Sequence, residues 1–173
     1  MSPQTTENKD ATAGERKAAC VIAWPVGHSR SPLIHNYWIK LHGLNAEYRK
    51  EGVQPDEFAE FVTHLREHGY VGCNVTVPHK QRSLELAQPD ERAKAVGAAN
   101  TLWLDGETLR ATNTDVEGFL ANLDAATPGW DRGLESAMVL GAGGGARAVV
   151  YALIQREVQR IYVVNRTIER AEA

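Results

Sequence analysis

A glycine-rich turn joins a predicted strand to a predicted helix in the second half of the chain. Residues 141–146 read Gly-Ala-Gly-Gly-Gly-Ala and fit the pattern G-x-G-x-x-A. The apolar segment 137–140 predicts a strand, 144–156 predicts a helix, and 160–164 predicts a second strand. The free N–H groups and the positive dipole end of such a helix can hold the phosphates of a dinucleotide. The turn therefore predicts a nucleotide site in a βαβ unit, and the alternative is a flexible loop that binds no ligand.

The residues that follow the second of these strands distinguish between NAD and NADP. An NAD site usually has Asp or Glu there, which binds the ribose 2′-hydroxyl. This chain has Asn165-Arg166-Thr167 and, one turn later, Arg170. Guanidinium groups and a hydroxyl can hold a 2′-phosphate through charge-assisted hydrogen bonds. We therefore predict NADP(H), with a solvated helix start as the alternative for the two arginines. The predicted cofactor-binding residues are Gly141, Ala142, Gly143, Gly144, Gly145, Asn165, Arg166, Thr167 and Arg170.

The pattern of the whole chain predicts an α/β fold in two parts. Residues 18–126 alternate short apolar strands with helices and predict an open βαβ substrate domain. Residues 127–135 are rich in turn formers and predict a linker. Residues 136–173 predict the start of a Rossmann-type domain, incomplete because two strands and little more than one helix leave apolar faces without partners. Residues 1–17 are polar and aperiodic and predict a disordered tail.

Individual elements of the first part are also predicted from caps and periodicity. The strands are expected at 19–23, 46–53, 70–77, 101–104 and 107–111, and the helices at 32–42, 55–69, 79–87, 90–96 and 116–123.

Composition excludes several classes of protein. The chain is 43% hydrophobic and 24% charged, as is typical of globular proteins, and its net charge of −3 argues against nucleic-acid binding on a basic surface. No apolar run is long enough for a membrane span, and no secretory signal is recognisable. Two cysteines, Cys20 and Cys73, are too few for a disulfide framework, so we expect a reducing cytoplasm. We predict no metal, because the histidine spacings give no set of three ligands.

Two serines precede the first predicted helix. Ser29 and Ser31 stand before Pro32, where two hydroxyls and a helix N-terminus would make a site for a carboxylate. The alternative, which the sequence alone favours, is that Ser31 caps the helix and Ser29 has no role.

Polar residues interrupt a strand that should be buried. Asn74 and Thr76 are two residues apart and therefore share a face. Buried polar groups need partners, which a polyhydroxylated ligand would supply. A purely structural hydrogen-bonded pair is the equal alternative.

Lys80 follows this strand, at the end of the sheet where open α/β folds bind ligands. A lysine paired with a carboxylate is suited to proton transfer, and Asp115 is the candidate partner. The alternative is that Thr114 and Glu117 form a capping box and leave Asp115 as an ordinary first-turn acid. Asn100 has a similarly plain interpretation as a turn residue.

Six segments together resemble the shikimate dehydrogenase family. They are Gly27-His28-Ser29-Arg30-Ser31-Pro32-Leu33-Ile34-His35-Asn36, Gly72-Cys73-Asn74-Val75-Thr76-Val77-Pro78-His79-Lys80, Gly97-Ala98-Ala99-Asn100-Thr101-Leu102, Asn113-Thr114-Asp115, the glycine turn to Arg147, and Asn165-Arg166-Thr167. Their order along residues 20–173 is far more specific than any single motif.

The resemblance implies reversible, NADPH-dependent reduction of 3-dehydroshikimate to shikimate, in aromatic amino acid biosynthesis. It implies that Lys80 and Asp115 are the catalytic pair and that Ser29 and Ser31 bind the substrate carboxylate. It assigns the ring hydroxyls to Asn74, Thr76, Asn100 and Asp115, and places Glu91 near the cofactor.

The same resemblance implies a protein longer by roughly a hundred residues, the size of a completed nucleotide domain. A chain that ended at Ala173 would then bind NADP poorly. The alternatives are a quinate or quinate/shikimate dehydrogenase and a non-catalytic fragment that binds shikimate. As partners we expect a small-molecule substrate and neither nucleic acid nor membrane, in a monomer or homodimer.

Overall fold

The structure, a computed structural model, describes residues 16–172. The predicted tail therefore lies outside the described residues, except at Arg16 and Lys17. Lys17 is the first residue of a strand, in which it pairs with Ala46. The ordered strand begins one residue before the predicted boundary, because a neighbouring strand extends far enough to pair with this backbone.

The described residues contain eight strands and seven helices. The strands are β1 (Lys17–Ala23), β2 (Ala46–Gly52), β3 (Gly72–Val75), β4 (Gln88–Pro89), β5 (Thr101–Asp105), β6 (Thr108–Thr112), β7 (Ser136–Leu140) and β8 (Arg160–Val164). The helices are α1 (Ser31–Leu41), α2 (Phe58–Thr63), α3 (Lys80–Leu86), α4 (Glu91–Val96), α5 (Asp115–Ala126), α6 (Gly144–Gln155) and α7 (Ile168–Glu172).

Six strands form one mixed sheet in the order β2-β1-β3-β5-β6-β4. β1 runs parallel to β2 and β3, whereas β5 is antiparallel to both β3 and β6. β7 and β8 form a separate parallel pair, joined by α6 in a βαβ unit. This arrangement confirms the predicted α/β fold, with an open first sheet followed by a Rossmann-type beginning.

The second predicted helix is shorter than expected. The sequence predicts a helix as far as Gly69, but α2 ends at Thr63. The hydroxyl of Thr63 donates to the carbonyl groups of Ala59 and Glu60. Such side-chain bonds compete with the helical hydrogen bonds of the backbone. Turns then carry the chain to Gly69, where a φ of 82° reverses its direction. The predicted apolar face is nevertheless buried, since Phe58 and Leu65 are fully enclosed.

A small apolar cluster connects the two sheets. Val96 ends α4, Ala98 follows it and Val116 lies on α5. These residues pack against Ala148 and Ala152 of α6. This contact holds the glycine turn before α6 close to the first sheet.

The β7–β8 pair exposes one of its faces. Met138, Leu140, Tyr162 and Val164 are each about half exposed or more. The sequence predicts apolar faces without partners in this unit, and the exposed face of the β7–β8 pair is such a face. No helix within residues 16–172 combines the length and the apolar character needed to cross a membrane.

Candidate active site

A polar cleft of about 550 Å³ opens beside the carboxyl ends of β1 and β3. Parallel strands place ligand sites at this end of a sheet. The cleft brings together all seven residues predicted to bind or convert the substrate. They are Ser29, Ser31, Asn74, Thr76, Lys80, Asn100 and Asp115.

Lys80 and Asp115 form an ion pair at the floor of this cleft. Nζ of Lys80 lies 2.8 Å from Oδ2 of Asp115, and the side chains are only 16% and 27% exposed. The alternative, a capping box formed by Thr114 and Glu117, is wrong, because Thr114 makes no side-chain cap and Glu117 pairs instead with Arg92 at 3.0 Å. The carboxylate of Asp115 therefore pairs with Lys80 and is not part of a capping box.

The serines do not cap α1 in the predicted way. Arg30 is the N-cap residue, so Ser31 is already inside the first turn. The N–H of Ser31 donates to Oγ of Ser29 at 3.4 Å, and among residues 16–172 the Ser31 hydroxyl has no partner. The capping interpretation is therefore wrong, and both serines line the cleft at a helix N-terminus.

Asn74 is held by protein on two sides. Its Oδ1 accepts from the hydroxyl of Tyr48, and its Nδ2 donates to Oγ1 of Thr101 at 3.1 Å. Thr76 lies just beyond β3 and, within the described part of the chain, its hydroxyl has no hydrogen-bond partner. The structural interpretation therefore fits Asn74, and Thr76 retains a free hydroxyl at the cleft.

Asn100 orients the carboxylate of Asp115. Its Nδ2 donates to Oδ1 of Asp115 at 2.9 Å and to Oγ1 of Thr114 at 3.0 Å. Its Oδ1 accepts from the backbone N–H of Thr114 at 3.1 Å. Both amide N–H groups of Asn100 are thus engaged within the protein.

A second cleft, of about 470 Å³, lies against the glycine turn and also reaches Lys80. Gly141 has a φ of 111°, which only glycine adopts readily. Gly143 is the N-cap of α6 without a side-chain cap, and a Cβ at Gly143 or Gly145 would meet only open space. Arg170 lines the same cleft. An uncapped helix N-terminus, open glycines and a guanidinium together fit the phosphates of a dinucleotide.

The remaining predicted cofactor residues are placed less uniformly. Asn165 donates from Nδ2 to the carbonyl of Thr167 at 2.7 Å, which shapes the turn after β8. Arg166 is exposed and does not line the glycine cleft. Glu91 pairs with Lys94 at 2.8 Å, and its side chain is 90% exposed in a separate groove between α4 and α6.

Sequence reasoning missed two residues that join the parts of the site. Arg147 of α6 lines the glycine cleft, and its Nε lies 3.1 Å from the side-chain oxygen of Gln81 on α3. The hydroxyl of Tyr48 on β2 donates a hydrogen bond to Oδ1 of Asn74. The ring of His35 stacks on Tyr48 at 4.1 Å, and burial lowers the pKa of His35 below its usual value. Arg147 could have been found from its spacing, because it lies one turn after Gly144 on the same helix face. No local pattern pointed to Tyr48.

Comparison with known proteins identifies the family. Residues 21–102 match the shikimate dehydrogenase substrate binding domain, and residues 131–173 match the model described as shikimate / quinate 5-dehydrogenase. This chain belongs to the shikimate dehydrogenase family. Its resemblance in six motifs is thereby confirmed at the level of the family.

Other shikimate dehydrogenases resemble the chain over most of its length. The NADP(+) enzyme of Nitrobacter hamburgensis is 63% identical over 157 residues, which cover 91% of this chain and 55% of that protein. The crystal structure from Aquifex aeolicus has a TM-score of 0.82 at 35% identity and covers 92% of this chain and 59% of that one.

The Thermus thermophilus enzyme, solved in complex with NADP(H) and shikimate, has a TM-score of 0.77 at 31% identity. That match covers 90% of this chain and 58% of the Thermus chain. The chain thus spans about half the length of the curated relatives it matches.

Proposed function

We propose that this chain takes part in the NADPH-dependent, reversible reduction of 3-dehydroshikimate to shikimate. One observation carries the proposal: Lys80 lines both the polar cleft and the glycine-turn cleft. A proton donor at that junction can reach a ketone held between a polar substrate site and a cofactor. Relatives with this fold are named NADP(+)-dependent shikimate dehydrogenases, which supports both the reaction and the cofactor.

The substrate carboxylate would bind at the start of α1. Ser29 and Ser31 offer hydroxyls there, and the helix N-terminus adds a positive dipole end. Thr76 and Asn74 line the same cleft near the end of β3 and would contact the ring hydroxyls. Together these residues offer donors for a carboxylate and for alcohol groups in one cleft.

Lys80 and Asp115 would handle the proton. As the ketone becomes an alcohol, the Lys80 ammonium gives one proton to the carbonyl oxygen and is reprotonated from water. Asp115 accepts a hydrogen bond from the ammonium at 2.8 Å and so fixes its position. General acid catalysis of this kind contributes typically a factor of about 10²–10⁴.

The cofactor would lie along the glycine turn. NADPH, when bound, supplies the hydride that reaches the carbonyl carbon. The N–H groups at the start of α6 would hold its pyrophosphate, and Arg166 and Arg170 its 2′-phosphate. Asn165 and Thr167 would shape this end of the site. A cytoplasmic location is part of the same proposal, supported by two buried free cysteines.

Quinate is the second candidate substrate, because residues 131–173 match a family described for both shikimate and quinate. The test is reduction of NADP⁺ and NAD⁺ with shikimate or quinate, using this chain and any longer native form that contains it. We expect turnover with shikimate and NADP⁺. Binding of shikimate without turnover in every form would favour the non-catalytic alternative, and binding of neither acid would refute the proposal.

A further inference from the structure

Tyr48 is a buried side chain next to the candidate active site that the mechanism above does not use. It is only 6% exposed, and its hydroxyl donates to Oδ1 of Asn74. Asn36 bonds its backbone on both sides, accepting from its N–H at 2.9 Å and donating to its carbonyl at 2.8 Å. The ring of His35 covers one face. The tyrosine is therefore fixed in position before any ligand arrives.

A continuous line of hydrogen bonds leads from Tyr48 to the ion pair. Asn74 contacts Thr101 at 3.1 Å, and Oγ1 of Thr101 contacts Oδ1 of Asn100 at 3.1 Å. Asn100 in turn holds Asp115. The line contains two side-chain amides, those of Asn74 and Asn100. The oxygen and nitrogen of each amide could be exchanged, so the orientation of each has to be assigned from its hydrogen bonds.

The orientation is decided from the Asn100 end. The backbone N–H of Thr114 can only donate, so the atom of Asn100 that faces it is the oxygen. Thr101 must then donate its single hydroxyl proton to that oxygen. Because this proton is used, Thr101 accepts from the NH₂ group of Asn74. Oδ1 of Asn74 consequently faces Tyr48, and the phenol is the donor.

This order leaves Asn74 with one unused group. Its oxygen accepts from Tyr48 and one N–H donates to Thr101. In residues 16–172 the second N–H has no partner, and Asn74 lines the polar cleft. Burial raises the pKa of the Tyr48 phenol above its usual value, so the hydroxyl stays protonated and remains a donor.

We propose that Tyr48 is a positioning residue, which fixes the amide of Asn74 so that it donates a hydrogen bond to an oxygen of the bound cyclohexene acid. The inference rests on the proposed function for the identity of that acid. Without the phenol, only the hydrogen bond to Thr101 holds the Asn74 amide in this orientation, and the amide can turn over more easily and present an acceptor instead. The ligand oxygen would then lose its donor.

The test is a calorimetric measurement of shikimate affinity in Tyr48→Phe, with Tyr37→Phe as the matched control. Tyr37 is 63% exposed on α1 and makes no hydrogen bond through its side chain in the described structure. We expect Tyr48→Phe to weaken binding roughly 3- to 10-fold, the effect of one net hydrogen bond, and the control to bind as the wild type does. In an Asn74→Ala background, Tyr48→Phe should change the affinity less than twofold.

A second variant covers the case in which Tyr48→Phe does not fold. Thr101→Val removes the next link and should weaken shikimate binding to a similar extent. Affinity within twofold of the wild type in the folded variants would overturn the inference. So would an equal loss in the Asn74→Ala background, because Tyr48 would then act through another residue. A wild-type chain that bound no shikimate would overturn the proposed function as well.

Discussion

The ammonium of Lys80 and the carboxylate of Asp115 meet at 2.8 Å, although 35 residues separate them in the sequence. Each is the first residue of its helix, α3 in one case and α5 in the other. The lysine also borders the glycine-turn cleft. The ion pair therefore forms where α3 and α5 begin, and its lysine lies beside the glycine turn.

Removing the two serine hydroxyls should weaken the substrate site alone. Ser29→Ala with Ser31→Ala deletes the groups that face the cleft at the start of α1. Hydrogen bonds to a charged group contribute about 1.5–3 kcal/mol each, so we expect the KM for shikimate to rise at least roughly tenfold. The KM for NADPH should not change. A parallel rise in both constants would show that the serines are structural.

Removing an arginine after β8 should weaken NADPH selectively. Arg166→Ala and Arg170→Ala each take away a guanidinium that we assign to the 2′-phosphate, and we expect the KM for NADPH to rise roughly tenfold or more. The KM for NADH, which lacks that phosphate, should stay the same. Arg160→Ala is the control, because Arg160 is an exposed partner of Glu135. Equal losses for both cofactors would argue against a phosphate contact.

A methyl group at Gly144 should disturb Lys80, which we propose as the proton donor. A Cβ there would lie 2.8 Å from Cβ of Lys80 and 3.2 Å from its Cδ. We expect Gly144→Ala to push the lysine stem away from Asp115 and to lower kcat at least roughly tenfold, since small displacements of reacting groups are costly.

The matched control is Gly118→Ala on α5, where an added Cβ meets nothing within 4 Å. It should keep its kcat and become more stable by up to about 1 kcal/mol, because alanine favours a helix interior. An unchanged kcat in Gly144→Ala would show that the close contact does not position the lysine.

His79 should make the stability of the fold depend on pH. The side chain is 2% exposed, its Nε2 contacts the carbonyl of Val53 at 2.9 Å, and burial lowers its pKa. The neutral form is thus favoured in the folded state. Neutral His79 contributes fully to the stability of the fold above the pKa of the unfolded state, about 6.5. This contribution is lost as the pH falls below that value and through the lower pKa of the folded state.

The check is the free energy of unfolding by urea at pH 7.5 and pH 5.5 for the wild type, His79→Gln and His64→Gln. The wild type should lose more stability on acidification than His79→Gln, in which this histidine cannot titrate. His64 is exposed, so His64→Gln should behave as the wild type does. Identical losses in all three proteins would exclude His79 as a source of the pH dependence.

Local patterns were sufficient for some elements and not for others. Strand β8 lies where its apolar run predicted it, and α6 begins at the predicted glycine. The two-residue strand β4 was missed, because so short a segment has no periodicity. The predicted cap at Ser31 was wrong, since the helix starts one residue earlier than the proline signal suggested.

In the candidate site, too, some residues could be predicted from local patterns and others could not. The pairing of Lys80 with Asp115 could be predicted, because a lysine after a strand and an acid at a helix start suit each other as partners. The contacts of Tyr48 with Asn74 and of Arg147 with Gln81 join residues 26 and 66 positions apart. Such contacts depend on how the strands and helices pack, and no local pattern encodes them.

Proton transfer by Lys80 is tested most directly by the effect of Lys80→Ala on both turnover and substrate binding. Shikimate-dependent reduction of NADP⁺ gives kcat, and calorimetry with shikimate gives the affinity. We expect a kcat lower by about 10²–10⁴ with a much smaller change in the affinity, because the main role of the ammonium is to supply the proton and not to hold the ligand. A kcat within twofold of the wild type would contradict this role of Lys80.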